Sequence, residues 1–167
     1  FPLEGRQVDL QFSYSQPYVN VVKEKIEPRQ SSQSILQLGY QFPCQYGDKD
    51  YFALIVFNAM FGEFAHSALF TTLREKEGLA YSISSQFDIF TGLLEVYAGI
   101  EKSNRNQAMR GISRELNYIK LGRFSSSLLN QTKKIIRMNA LLSEDHALTL
   151  VEQRFNKVIF GDKSLSL

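Results

Sequence analysis

The stretch Leu69-Phe-Thr-Thr-Leu-Arg-Glu-Lys-Glu-Gly-Leu-Ala-Tyr-Ser-Ile83 narrows the choice of folds more than any other part of the chain. Leu69 and Leu73 sit at helical spacing with Phe70 and Arg74 beside them, Gly78 supplies a stop, and Tyr81 and Ile83 open an alternating apolar pattern. A helix therefore hands over to a strand within a few residues. If the helix stops at Gly78, the chain folds back and the Arg74 guanidinium and Tyr81 phenol can converge on one small volume. Together they offer five fixed N–H donors and one O–H donor, suited to a peptide carbonyl or a developing oxyanion. There is no nucleophile–base pair or metal-ligand cluster beside them, so the constellation reads as half of an active site.

The flanking pattern predicts an α+β fold, an antiparallel sheet covered by helices. Leu36, Leu38, Tyr40 and Phe42 alternate with polar residues as one half-buried strand that Pro43 ends. Asp48 is the expected N-cap of a helix over Lys49 to Phe61, apolar on nearly every face and so expected to be the most buried element, with Gly62 as its stop. A second helix is expected from His66 to Glu77. Tyr81, Ile83, Phe87 and Ile89 share one parity, interrupted by Ser85, and Leu94, Val96, Ala98 and Ile100 share another, with Thr91-Gly92 as the hairpin turn. Ser103 is the expected cap of a helix carrying Met109, Ile112, Leu116 and Ile119 and ending at Gly122. Ser125 to Ser127 cap the next helix, and Ser143 restarts or kinks it toward Ala147, Leu148, Val151, Phe155 and Val158.

Before Gln33 the pattern is weaker. Val8, Leu10, Phe12 and Tyr14 alternate as a strand would, and Gln16-Pro17 breaks it. Residues 1–30 are read as a lead-in that joins a preceding domain to this one, and residues 31–167 as the main domain, truncated at its C-terminal end. The ends lack an initiator Met and a closing cap, as expected for a piece of a longer protein.

Several function classes are disfavoured. A chain of 167 residues, 44% apolar and 22% charged, is ordinary for one globular domain, which can bury roughly 70% of its unfolded surface. The net charge of +2, with basic residues scattered among acidic ones, does not argue for nucleic acid or an anionic membrane. No apolar run reaches the ~20 residues that a membrane-spanning helix needs. The lone Cys44 reads as a buried or strand-end thiol rather than a nucleophile, and it suits a reducing, cytoplasmic compartment. His66 and His146 stand eighty residues apart with no metal-ligand partner at helical spacing, so this chain is expected to hold no catalytic zinc. Glu75 and Glu77 read as solvated charge at a helix end.

The order Asn58-Ala-Met-Phe-Gly62, His66-Ser-Ala-Leu-Phe70 and Leu73-Arg-Glu-Lys-Glu-Gly-Leu-Ala-Tyr81 resembles the non-metal half of insulinase/pitrilysin-type zinc peptidases, the inverzincins whose catalytic half carries H-x-x-E-H. The resemblance is clearest from about Gln33 to Glu101. It implies that the domain is one of two tandem copies, and that Arg74 and Tyr81 bind and help to polarise a peptide substrate. Zinc would then be held only by a complementary half-domain or a sister subunit, and the parent would be of the smaller, bacterial type. The alternative is an enzymatically inactive scaffold or assembly subunit on the same fold, as in core subunits of a respiratory complex. Retention of both Arg74 and Tyr81 argues against a pure scaffold.

Overall fold

A computed structural model describes residues 18–44, 47–143 and 147–160. The strand expected over Val8–Tyr14 and the placement of His146 lie outside the described residues. Three strands, β1 (Ser34–Gln41), β2 (Ala80–Asp88) and β3 (Leu93–Ile100), form an antiparallel sheet in the order β1-β3-β2. The hairpin β2–β3 thus lies beside β1, with Leu36 opposite Ala98 and Leu38 opposite Val96. Among the described residues, helices cover one face and leave the other open. The α+β expectation stands.

The central strand buries one whole side, whereas the expected first helix is buried mainly at its C-terminal end, from Asn58 to Phe61. β3 is paired on both sides and sends Leu94, Val96, Ala98 and Ile100 into the core, each at most 1% exposed. The first helix, α1 (Tyr51–Asn58), buries Leu54 and Asn58 but leaves Ile55, Val56 and Phe57 only half-buried. An apolar circumference outran the available cover. Its start differs too: Asp50 precedes the helix without capping it through its side chain, and Asp48 contributes its carbonyl to the Tyr51 N–H at 3.0 Å. Gly62 does not stop the chain either. A π-helical turn, Ala59–Glu63, continues directly from α1 and holds Gly62 buried.

The reason for that glycine is steric. A Cβ at Gly62 would lie 2.8 Å from both the backbone nitrogen and the Cβ of Ser85 on β2, and 2.6 Å from its Oγ. Helix and strand therefore cross at backbone contact, which only a residue without a side chain allows. The small Ser85, which breaks the apolar run of β2, is the other half of this fit. Its buried hydroxyl donates to Asn58 Oδ1 at 2.8 Å, and Asn58 Nδ2 donates to Glu63 Oε2 at 3.0 Å. Burying a hydroxyl costs little once it is hydrogen-bonded.

A second π-helical segment, Phe70–Lys76, packs against β2. Ser67, not His66, organises its entry: the Ser67 Oγ accepts from the Phe70 N–H at 3.4 Å and its carbonyl from Thr71. His66 sits in the preceding turn, stacked on Phe64 at 5.5 Å, with Nε2 at 2.9 Å from the fully buried Thr132 hydroxyl. Helix α2 (Arg105–Lys120) seats Gly111 against the Leu73 side chain. A short 3-10 turn, Lys102–Asn104, leads into it, so Asn104 rather than Ser103 precedes the first helical residue, without a side-chain cap. Gly122, at φ +70°, ends the helix as expected, with the Arg123 N–H closing back on Tyr118 at 2.8 Å. Ser125 caps α3 (Ser126–Ser143) through Leu128 N–H at 3.1 Å. Helix α4 (Ala147–Phe160) has Leu148, Val151, Phe155 and Val158 exposed.

Two outcomes follow from this packing. Gly62→Ala should destabilise the protein by roughly 1–3 kcal/mol through overpacking at a backbone crossing, whereas Gly39→Ala, with nothing within 4 Å of its added carbon, should not show that loss. Denaturant midpoints of the two variants measure this, and equal midpoints would place the crossing wrongly. The second concerns His66, whose pKa is pushed below the ordinary 6.5 by burial. The unfolded chain then takes up the proton first, so stability present above about pH 6.5 is lost as pH falls through the folded value. Melting temperature should drop on acidification, and His66→Gln should show a smaller drop over the same interval. An unchanged pH profile in that variant would remove His66 as a source of acid sensitivity.

Candidate functional site

Arg74 lies in the last turn of the second π-helical segment, where the backbone is held by unusually wide bonds. The Glu77 N–H reaches back to the Thr72 carbonyl at 2.9 Å, and the Leu79 N–H to the Leu73 carbonyl at 2.8 Å. Gly78, at φ +61°, makes that reversal possible, since a left-handed backbone is strained for residues with a Cβ. The reversal clamps Leu73 against Leu79. Arg74 follows the first of these residues, and Tyr81 comes two after the second. Leu73 and Ala80 are buried anchors on the two sides of the turn. π-helical turns are rare, and they are frequent at functional sites.

The guanidinium is positioned by an aromatic floor. Arg74 Cζ lies 4.5 Å from the centroid of the Phe70 ring, a cation–π contact worth about 0.5–1 kcal/mol at an exposed site. Arg74 is exposed, and it makes no hydrogen bond or ion pair among the described residues. It does not cap the end of its segment, because Glu77 and Leu79 already satisfy the Thr72 and Leu73 carbonyls there. Glu77, expected to be solvated charge, is instead paired with Arg114 of α2 at 2.6 Å. Arg114 also binds the buried Glu115 at 3.0 Å, and these two carboxylates hold its pKa above the ordinary value.

Tyr81 reaches solvent by a β-bulge. Ala80 pairs with Ile100, but the next β3 residue, Gly99, is faced by Ser82, leaving Tyr81 as an extra residue in β2. The parity expected from the sequence, with Tyr81 beside Ile83 and Phe87, is broken at this point. Ala80 and Ile83 point into the core, while Tyr81, 57% exposed, and Ser82 lie outside it. Gly99 makes room: a Cβ there would lie 2.7 Å from the Ser82 hydroxyl oxygen. Among the described residues the Tyr81 hydroxyl has no hydrogen-bond partner. Two surface concavities lie along α2, around Arg110 and Arg114, and neither is lined by Arg74 or Tyr81.

Other chemistry-bearing side chains are already engaged. No group of three or more His, Cys, Asp or Glu residues able to hold a metal ion occurs among the described residues. Cys44 is buried, and its thiol pKa is raised by burial and by the carboxylates of Asp48 and Asp50, which keeps it protonated and poorly nucleophilic. Sequence reasoning missed Phe70 as the support of Arg74, although its i, i+4 spacing was the available signal. It also missed Gly99, whose effect depends on a strand register that spacing alone does not reveal.

Comparisons with known proteins agree on the scaffold. The family model described as the peptidase M16 inactive domain matches residues 5–136. The "Probable inactive metalloprotease YmfF" of Bacillus subtilis is 43% identical over 130 residues, which are 78% of this chain and 30% of that protein. The "Uncharacterized zinc protease YmxG" of the same organism is 29% identical over 117 residues, 69% of this chain and 28% of that protein. Among solved structures, a conserved protein from Enterococcus faecalis superposes with a TM-score of 0.87 at 42% identity, covering 92% of this chain and 36% of that one. A protease from Helicobacter pylori shares the fold at a TM-score of 0.70 and 20% identity, over 79% of this chain and 32% of that one. The chain thus spans about a third of the length of the relatives it matches. With its three-stranded sheet, its helical cover and its family match in agreement, the chain belongs to the peptidase M16 inactive-domain family.

Proposed function

We propose that this chain is the zinc-less half of an M16-type metallopeptidase and lends Arg74 and Tyr81 to a peptide bound at a zinc site on another domain or sister subunit. It holds no zinc itself. Tyr81 donates to the carbonyl being attacked, and Arg74 fixes the substrate backbone. The observation that carries this reading is the contrast between anchored backbones and open tips. Leu73, Leu79 and Ala80 are fixed by burial or hydrogen bonding, while the guanidinium and the phenol next to them face solvent with no hydrogen-bond partner among the described residues. Donors placed in this way cost no reorganisation when charge develops on a carbonyl oxygen, and such a donor is typically worth ~10²–10³ in rate. A second reading, an inactive scaffold, is favoured by the name of one relative, "Probable inactive metalloprotease".

In the complete protein, Tyr81→Phe should lower kcat more than it raises KM, because the lost donor matters most as the oxyanion forms. Arg74→Ala should impair both, because substrate positioning is lost as well. Neither should lower the melting temperature appreciably, since both tips lie outside the core. Steady-state kinetics with a peptide library, together with melting and zinc content of the complete protein, measure all three. Peptide cleavage that is indifferent to both substitutions would refute the clamp. A complete protein with neither zinc nor cleavage would establish the scaffold reading.

A further inference from the structure

Among the described residues, the face of the sheet opposite the helices is polar, open and negative. None of the three strands contains a Lys, Arg or His, and they carry two acids, Asp88 and Glu95. Asp88 is consumed by the hairpin turn: its Oδ1 accepts from the Phe90 N–H and its Oδ2 from the Thr91 hydroxyl, both at 2.8 Å. Glu95 is different. It sits on the central strand, and its carboxylate is held in place by three neutral donors from all three strands. Gln86 Nε2 and the Tyr97 hydroxyl each donate to Oε2 at 3.0 Å, and Gln37 Nε2 lies at 3.5 Å from Oε1. Oε1 thus has only one long contact and retains acceptor capacity. Among the described residues no cation pairs with Glu95; in the lead-in, Lys25 and Arg29 are paired with Glu27. The charge is held in position but not neutralised.

This face is shared with the Tyr81 bulge. Tyr81 and Ser82 face Gly99, and Glu95 lies four residues along the same strand, facing Gln86. At the rise of a β-strand the two are roughly 13 Å apart, about the span of four residues of an extended peptide. We infer that Glu95 determines specificity, accepting a Lys or Arg side chain of an extended peptide laid on the open sheet face, about four residues from the bond presented at Tyr81. The inference rests on the peptide-binding reading above and names the substrate class for it. Gln86, Gln37 and Tyr97 act as positioning residues that aim the carboxylate and remain neutral, so the ligand supplies the only positive charge. Cationic and neutral peptides then differ in affinity by the strength of one partly screened ion pair.

The test is binding of labelled ten-residue peptides to the complete protein, measured by fluorescence anisotropy, in sets that differ only by Lys, Gln or Glu at one position. At one position the Lys peptide should bind about fivefold more tightly than the Gln peptide, and the Glu peptide more weakly than either. Glu95→Gln should abolish the difference without weakening the Gln peptide, and Glu95→Asp should restore part of it. Melting curves confirm that each variant is folded. Equal affinity for Lys and Gln peptides at every position, or a Lys preference that survives in Glu95→Gln, overturns the inference. Absence of any peptide binding overturns both this inference and the peptide-binding reading. A Glu95-dependent preference in a protein whose Arg74 and Tyr81 variants cleave normally supports the inference and refutes only the clamp.

Discussion

The backbone contact between Gly62 and Ser85 is the constraint on which the remaining geometry depends. It brings the π-helical end of the first helix down onto β2, closer than any side chain at position 62 allows. The crossing is polar, through the Ser85–Asn58–Glu63 hydrogen bonds, and a polar crossing specifies position more narrowly than an apolar one. A half-satisfied pair would be costly, so sliding the helix along the strand is penalised at once. With this crossing set, the parity of β2 from Ile83 onward is fixed. The apolar residues of β3 then meet the helices.

The proposed functional surface follows from how the chain leaves and re-enters this frame. Leaving the helical layer requires the Gly78 reversal, and entering the sheet requires an adjustment of register, which the Tyr81 bulge supplies. Both irregularities fall within the eight residues from Arg74 to Tyr81, and each leaves one hydrogen-bonding side chain facing water. The bulge is therefore more than a defect of pairing. It converts a residue whose spacing marks it for the core into one on the open face, while Ala80 takes the inward position. Arg74 is served by the opposite device, a supporting ring at Phe70 that narrows its range of positions without satisfying its donors.

Much of the frame was legible from residue order alone. The alternation in β1 and β3, the Gly78 and Gly122 stops and the Ser125 cap each report a local backbone requirement, and local requirements survive folding. Where the reading went astray, tertiary partners had decided. Asp48 and Ser103 are good capping residues by type, yet the helices begin further on, at Tyr51 and Arg105. Gly62 carries the signature of a stop but serves a close crossing, and nothing near it in sequence shows that Ser85 is its partner. The apolar circumference of the first helix suggested full enclosure, whereas only its C-terminal part lies under other elements. At the proposed site, spacing and family resemblance single out Arg74 and Tyr81. The pairing of Glu77 with Arg114 and the bulge at Gly99 depend on residues from about twenty to forty positions away.

The central claim is that Arg74 and Tyr81 act on one substrate as a unit. A double-mutant cycle in the complete protein tests it most directly, comparing kcat/KM for Arg74→Ala, Tyr81→Phe and the combined variant on one peptide. Groups that hold the same substrate in the same transition state are not additive, so the combined loss should fall well short of the sum of the two single losses in free energy. Strict additivity of two substantial single losses would contradict a shared clamp and leave the two residues as independent contributors.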